Sequence, residues 1–152
     1  MQNTRTTALI FFLALVLAGG LTIGYLNTPG EWYAGLAKPP FNPPSWLFGP
    51  AWTVLYVLIG IAGARIWSRV PRSSAMAAWW TQLALNFLWS PVFFTMHAVG
   101  MAFIVILGML AAIVFFIVLA WRVDRVSAFL FLPYLCWVSF AGLLNGSILW
   151  LN

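Results

Sequence analysis

Long apolar stretches alternate with short clusters of charged residues along this chain. Uncharged stretches of 25, 26, 49 and 27 residues separate Arg5 from Glu31, Lys38 from Arg65, Arg72 from Arg122, and Arg125 from the C-terminus. Charged side chains avoid the bilayer centre because burying them in hydrocarbon costs free energy. A helix needs about 20 residues to cross about 30 Å of hydrocarbon, so the stretches predict one, one, two and one spans. The pattern predicts an all-α polytopic membrane protein, a bundle of five transmembrane helices.

The longest uncharged stretch requires an internal turn. Met96 to Gly100 provides it, with an ionisable His97 and a flexible glycine. The predicted spans are roughly 6–27, 45–66, 74–96, 100–121 and 127–150, so that residues 1–152 form one transmembrane domain. The first apolar run is alternatively the core of a cleaved signal peptide, since Arg5 precedes it. Its length exceeds the roughly 7 to 15 residues of a signal core, which favours a span.

The charge distribution predicts the orientation of the bundle. The chain is 64% hydrophobic, 6% charged and carries a net charge of +5. Five spans place all arginines on one side and leave Lys38 alone on the other. By the positive-inside rule the N-terminus is cytoplasmic, while the first loop and the C-terminus are external. The positive charge thus serves topology and contact with membrane lipids, and it requires no nucleic acid.

The connection between the first two spans, residues 27–44, is long and rich in proline. We call it the first loop; it holds five prolines together with Trp32, Tyr33 and Phe41. Proline restricts its own backbone and that of the preceding residue, so this loop is expected to be stiff. Long loops often act as lids or binding elements, which predicts a lid over a cavity. Alternatively, its aromatic side chains form only an interfacial belt.

Polar and aromatic residues share helical faces inside the predicted spans. The faces comprise Trp52 and Tyr56 in the second span, Trp79, Gln82, Asn86, Trp89 and Phe93 in the third, and Tyr134, Trp137, Ala141, Asn145 and Ile148 in the fifth. Amide side chains in hydrocarbon need hydrogen-bond partners, so these faces should point into the bundle. They either join helices to one another or place polar groups in an aromatic pocket for a small molecule.

Several kinds of chemistry lack the residues they require. No charged residue lies deep in a predicted span, which argues against ion-coupled transport. Glu31 and Asp124 are expected on opposite sides of the membrane and cannot form a catalytic pair. His97 is expected to be a solvated turn residue, and the single Cys136 is interpreted as a packing residue. The sequence therefore indicates no metal site and no classical catalytic constellation.

Several motifs, in order along the chain, resemble the tryptophan-rich sensory protein family, also called the translocator protein or peripheral-type benzodiazepine receptor family. They are Trp32-Tyr33, Lys38-Pro39-Pro40, Asn42-Pro43-Pro44, Ala51-Trp52-Thr53 with Tyr56, Asn86-Phe87-Leu88-Trp89-Ser90-Pro91, and Leu132-Pro133-Tyr134-Leu135 with Trp137. The resemblance runs from about residue 9 to the C-terminus. It implies a five-helix bundle, often a homodimer, whose cavity is closed by the first loop.

The resemblance also implies ligands and site residues. The ligands are porphyrins, such as protoporphyrin IX or haem, and synthetic compounds of the benzodiazepine-site class; no cofactor is obligatory. Trp52 and Trp137 match the tryptophans implicated in light-dependent porphyrin breakdown. Tyr33 and Pro43 match loop contacts, and Phe48, Tyr56, Asn86, Trp89 and Ala141 match other cavity positions. From the residues themselves we add Trp32 and Asn145, with Lys38 or loop amides near the porphyrin propionates.

These expectations lead to a receptor or sensor that binds porphyrins and regulates tetrapyrrole levels. The alternatives are a light-dependent porphyrin-degrading enzyme and a passive porphyrin or lipid translocator. The cholesterol-recognition pattern of animal members needs a tyrosine and a basic residue that are missing from Leu144 to Asn152, so sterol binding is doubtful. The same difference favours a bacterial member, in the cell membrane.

Overall fold

The computed structural model describes residues 2–152, with side chains from Thr4 onwards, and this part of the chain is helical without strands. The α-helices are α1 (Gln2–Leu26), α2 (Glu31–Gly35), α3 (Phe48–Trp67), α4 (Ser74–Ser90), α5 (Val99–Val123), α6 (Arg125–Leu130) and α7 (Leu132–Leu151). A 3-10 turn, Ser45–Leu47, precedes α3, and a π-helical turn, Pro91–Thr95, extends α4. Contacts between α1 and α3, between α4 and α5, and between α5 and α7 hold the bundle together.

The bundle has two different ends. The first loop, the turn after α4 and the C-terminus of α7 meet at one end, where the side chain of Asn152 exchanges hydrogen bonds with the backbone N–H and C=O of Ala37 at 2.9 and 3.0 Å. We call this the loop end. The connections after α3 and α5 meet at the other, which we call the arginine end because Arg65, Arg69 and Asp124 lie there.

Prolines and caps set the limits of the helices. Ser73 begins α4, since its hydroxyl accepts a hydrogen bond from the backbone N–H of Met76 at 3.2 Å. Pro50 and Pro133 lie in the first turns of α3 and α7, where a missing N–H costs little. Pro91 begins the π-helical turn. After that turn His97 adopts a left-handed conformation (φ 54°), which reverses the chain directly into α5.

The half of the bundle nearer the arginine end is filled by side chains. Trp79 is fully buried and donates from Nε1 to the carbonyl oxygen of Ile59 at 3.0 Å. Its ring lies against Phe12 at 4.9 Å between centroids. Gly63 allows this packing, because a Cβ there would collide with the Trp79 ring. This half of the bundle is a close-packed core.

At the arginine end, Asp124 joins the connection after α5 to α3. Arg65 donates to both carboxylate oxygens, from Nε at 2.7 Å and from Nη2 at 2.9 Å, while Ser127 donates at 2.6 Å and Arg69 lies 3.6 Å away. The hydrogen bond from Arg65 is the main cause that lowers the pKa of Asp124 to about 2. Arg65 and Arg69 therefore do more than mark the topology, because they fix Asp124 where α5 gives way to α6.

The all-helical prediction is confirmed for the described residues, and four of the five predicted spans coincide with apolar helical segments. Four segments are long and apolar enough to cross a membrane: Thr4–Leu26, Ser45–Trp67, Val99–Val123 and Arg125–Leu151. The predicted third span corresponds to α4 and its π-helical turn, but α4 alone has only 17 residues. The interpretation of Cys136 as a packing residue is wrong, because Cys136 is exposed on the outside of α7.

Candidate functional site

A cavity of about 450 Å³ occupies the half of the bundle nearer the loop end. Five helices, α1, α3, α4, α5 and α7, form its wall, with residues from the first loop across the end of the bundle. Of the predicted site residues, the wall contains Tyr33, Pro43, Phe48, Trp52, Tyr56, Asn86, Trp89, Trp137, Ala141 and Asn145. The spacing of polar and aromatic residues on α3, α4 and α7 therefore converges on one enclosed space.

Trp32 and Lys38 do not reach the wall. Trp32 stacks on His97, with ring centroids 4.1 Å apart and planes 19° apart, and so attaches the first loop to the turn before α5. Lys38 Nζ lies 4.6 Å from the centroid of the Tyr33 ring and donates to the carbonyl oxygens of Ala34 and Leu36. Both residues support the loop that carries Tyr33.

One side of the wall is organised by Asn86. Its Nδ2 donates to the hydroxyl of Tyr134 at 2.8 Å, and its Oδ1 accepts a long hydrogen bond from Tyr56 at 3.5 Å. Tyr134 in turn directs its hydroxyl to Met109 Sδ at 3.2 Å. These bonds connect α3, α4, α5 and α7, so the amide joins helices and lines the cavity at once.

A second polar pair stands closer to the loop end. Trp89 donates from Nε1 to Asn145 Oδ1 at 3.1 Å, and Asn145 Nδ2 donates to the carbonyl oxygen of Val99 at 3.0 Å. The Trp89 ring also stacks on Phe93, with centroids 5.1 Å apart. Both side chains are thereby held in one orientation against the cavity.

Trp137 differs from the other aromatic residues of the wall. Its Nε1 is buried and has no hydrogen-bond partner among the described residues. Phe48 approaches the ring edge-on at 6.0 Å between centroids. A buried N–H without a partner costs free energy.

The first loop contributes polar groups at the mouth of the cavity. Asn27 and Asn42 of the first loop line it there beside Ser45 of the 3-10 turn, and the Tyr33 hydroxyl donates to Asn42 Oδ1 at 3.4 Å. Burial raises the pKa of Tyr33, so its hydroxyl stays protonated at neutral pH. The mouth is neutral and polar, whereas the depth of the cavity is aromatic.

The sequence did not indicate every residue of the cavity wall, and some residues of the predicted polar faces lie outside the wall. α1 and α5 also line the cavity, through Gly20 and Gly24 and through Ile106 and Met109. Both α1 and α5 are apolar on all sides, so no periodic pattern in the sequence distinguishes the residues that line the cavity from their neighbours. Gly20 has one detectable signal, its smallness, since a Cβ there would collide with the Tyr56 ring.

Gln82 belongs to the expected polar face of α4 but lies outside the wall. It is fully buried, and neither amide atom has a partner among the described residues. Trp79 on the same face is likewise part of the packed half. The face thus divides into a buried inner part and a part that lines the cavity.

Comparison with known proteins gives a consistent result over nearly the whole chain. The TspO/MBR family model matches residues 12–151. The tryptophan-rich protein TspO of Archaeoglobus fulgidus is 40% identical over 148 residues, covering 95% of this chain and 96% of that protein. Protein CrtK of Rhodobacter capsulatus is 37% identical, covering 94% and 91%, and the translocator protein of Bos taurus is 39% identical, covering 88% and 83%. With its apolar helices, this chain is an integral membrane protein that belongs to the TspO/MBR family.

Proposed function

We propose that this protein is a membrane receptor or sensor that binds porphyrins and benzodiazepine-site-type ligands in the aromatic cavity, and so regulates tetrapyrrole levels. The observation that carries the proposal is the cavity itself, walled by indole, phenol and phenyl rings with few polar groups. Such a composition suits a flat, largely apolar ligand. A relative from Cereibacter sphaeroides is named a tryptophan-rich sensory protein, which is compatible with a sensing role.

The cavity wall suits a macrocycle that is bound by stacking and apolar contacts, without a side chain that ligates its metal. Offset or edge-on stacking on an aromatic ring contributes about 0.5–1.5 kcal/mol per pair beyond burial. The wall offers Trp52, Trp89 and Trp137 for such contacts. Among the described residues that line it there is neither histidine nor cysteine, and Met109 already accepts from Tyr134. We therefore expect metal-free protoporphyrin IX to bind at least as well as haem.

The propionates of a bound porphyrin would face the mouth. Carboxylates need hydrogen-bond donors or water, and Asn27, Asn42 and Ser45 stand there. Lys38 is directed to backbone carbonyls of the first loop and is not part of the wall. The loop amides are accordingly the better candidates to hold the propionates.

The proposal includes an arrangement in the membrane. α4 together with Pro91–Thr95 forms a fifth span, and the first loop acts as a lid because it lies across the loop end of the cavity. The arginines favour a cytoplasmic arginine end in a bacterial cell membrane, with the first loop and the C-terminus outside. A homodimer remains part of the proposal through the family resemblance, and a sterol ligand does not.

The binding proposal is tested by titrating the purified protein in detergent with protoporphyrin IX. Tryptophan fluorescence, corrected for porphyrin absorption, should be quenched saturably. Ala141→Phe places a ring inside the cavity and should abolish saturable quenching, whereas Ala111→Phe adds the same ring on the exposed face of α5 and should not. Equal binding by the two variants would contradict the proposal.

A second candidate function is light-dependent breakdown of the bound porphyrin. The observation that favours it is that Trp52 and Trp137 both line the cavity, where indoles could react with an excited porphyrin and oxygen. The wild-type complex should then lose its porphyrin absorbance under light and keep it in darkness. A Trp52→Phe, Trp137→Phe double variant should bind porphyrin without degrading it. Equal loss in both proteins would assign the photochemistry to the porphyrin alone.

A further inference from the structure

A second hollow lies on the outside of the bundle, between α5 and α7. It is an open groove of about 780 Å³, separate from the cavity and lined by different residues. We call it the outer groove. Its volume lies within the roughly 300–1,000 Å³ that small-molecule sites occupy. Its long side is open, because Leu143 and Trp150 on its rim are 60% and 89% exposed.

The floor of the outer groove exists because two glycines bring the helices together. A Cβ on Gly142 would lie 3.0 Å from Ile106, and one on Gly146 would lie 3.1 Å from Phe103. α7 therefore sits close to α5 along this line, with no side chain of its own to fill the space above. The groove is a built feature of the interface between the two helices.

The length of the groove corresponds to one leaflet of a bilayer. Along α7 it extends from Ser139 to Leu151, which at about 1.5 Å per residue is ~18 Å. Half of a hydrocarbon core of about 30 Å is ~15 Å. An apolar groove of this length, open to the side, fits an acyl chain that descends from the loop-end interface towards the bilayer centre.

The only charged side chain among the described residues along the groove stands at its loop end. Lys38 lines the groove and follows Ala37, which is paired with Asn152 beside the end of α7. Lys38 Nζ has three donors. Two are directed to the carbonyl oxygens of Ala34 and Leu36, at 3.2 and 3.1 Å. Nζ also lies 4.6 Å from the centroid of the Tyr33 ring, and its positive charge suits an anionic oxygen at the level of the lipid headgroups.

From the length, the apolar lining and the placement of this charge, we propose that the outer groove binds one glycerophospholipid with an anionic headgroup. One acyl chain lies between α5 and α7, and the phosphate is held by Lys38. The site is independent of the porphyrin cavity. It also links lipid to the first loop, since Lys38 is fixed to the carbonyls of the same loop that carries Tyr33.

The proposal is tested by native mass spectrometry of the detergent-solubilised protein with added lipid. Phosphatidylglycerol and phosphatidylcholine with identical acyl chains are compared, and palmitate is added as a competitor. The wild-type protein should retain one phosphatidylglycerol with roughly fivefold preference, the factor that one lysine near an anionic surface provides. Lys38→Gln should remove the preference and Lys38→Arg should keep it.

Two further variants test the acyl chain. Ser147→Phe fills the groove and should lower the retention of both lipids, while Cys136→Phe, exposed on the same helix but outside the groove, should retain the wild-type pattern. Equal retention of the two lipids by the wild type, an unchanged preference in Lys38→Gln, or unchanged retention in Ser147→Phe would overturn the proposal. Displacement of phosphatidylglycerol by an equal concentration of palmitate would overturn the assignment to a glycerophospholipid.

Discussion

Two tryptophans, Trp79 and Trp137, illustrate how the two halves of the bundle differ. Trp79, in the half nearer the arginine end, has its N–H bonded to a backbone carbonyl and its ring enclosed by Phe12 and Gly63. Trp137, in the other half, has a buried N–H without a partner among the described residues, and the residue lines the cavity. The packed half supplies stability, and the half that contains the cavity is available to a ligand.

The largest effect on stability is expected from the packed half. Trp79→Ala should lower the free energy of unfolding by about 3–5 kcal/mol, because it leaves a cavity where no neighbour can collapse. Unfolding in mixed detergent micelles would measure it. Trp46→Ala, at a 72% exposed position, is the matched control and should change stability little. Similar losses in the two variants would show that the packed half is not special.

The next effect concerns the charge pair that closes the arginine end. Asp124→Asn should cost about 1–2 kcal/mol at neutral pH, since it removes a charged partner of Arg65. Because folding lowers the pKa of Asp124 from 3.8 to about 2, its contribution is present above pH ~4 and is lost as the pH falls towards 2.

That dependence is measured as thermal stability of the detergent-solubilised protein against pH. The wild type should lose stability between about pH 4 and pH 2, and Asp124→Asn should lose less over the same interval. Parallel curves for the two proteins would mean that Asp124 does not carry the acid sensitivity.

A smaller effect is expected in the half that contains the cavity. Trp137→Phe should weaken the binding of protoporphyrin IX by about 1 kcal/mol, roughly fivefold, because it replaces the indole that lines the cavity with a smaller ring. Thermal stability should change little, since the N–H has no protein partner to lose. Trp150→Phe is the control, being 89% exposed and outside the cavity. If Trp137→Phe lowered thermal stability without weakening porphyrin binding, Trp137 would be a structural residue and not a ligand-binding one.

The smallest effect distinguishes the cavity from the outer groove. Lys38→Ala should leave the salt dependence of porphyrin affinity unchanged, because Lys38 lies outside the cavity wall and contacts it only through the loop that carries Tyr33. Titration at two ionic strengths would measure it. A loss of porphyrin affinity that depends on salt would indicate that Lys38 binds the porphyrin propionates, and it would weaken the assignment of Lys38 to a lipid phosphate.

Much of the fold could be predicted from the spacing of charged residues, because ionised groups and long apolar runs constrain a helix in a bilayer. Tyr56, Asn86 and Asn145 were predictable as inward-facing, since a buried polar group requires a partner. Ile106 and Met109 were not, because α5 is apolar on every side and its orientation is decided by packing. Cys136 was wrongly predicted for a different reason. A residue inside a membrane span can face lipid, so its place in a span does not show that other residues of the protein cover it.

The position of Lys38 in the structure could not be predicted from the sequence either. Its neighbours in the chain suggested a loop cation facing a ligand, but its position depends on how the first loop crosses the end of α7. That path is set by the pairing of Ala37 with Asn152, residues 115 positions apart. No local pattern reports such a contact.

The left-handed His97 has a mechanical consequence for the rate at which ligands enter. The turn it forms returns the backbone N–H of Ala98 to the carbonyl oxygen of Val92 at 3.1 Å, and α5 starts immediately afterwards. α4 and α5 are thereby coupled as a stiff hairpin that cannot spread at this end. We therefore expect a ligand that enters past the first loop to wait until the Trp32 ring separates from His97. The on-rate would then report how often that stack opens, while the wall of the cavity governs the residence time.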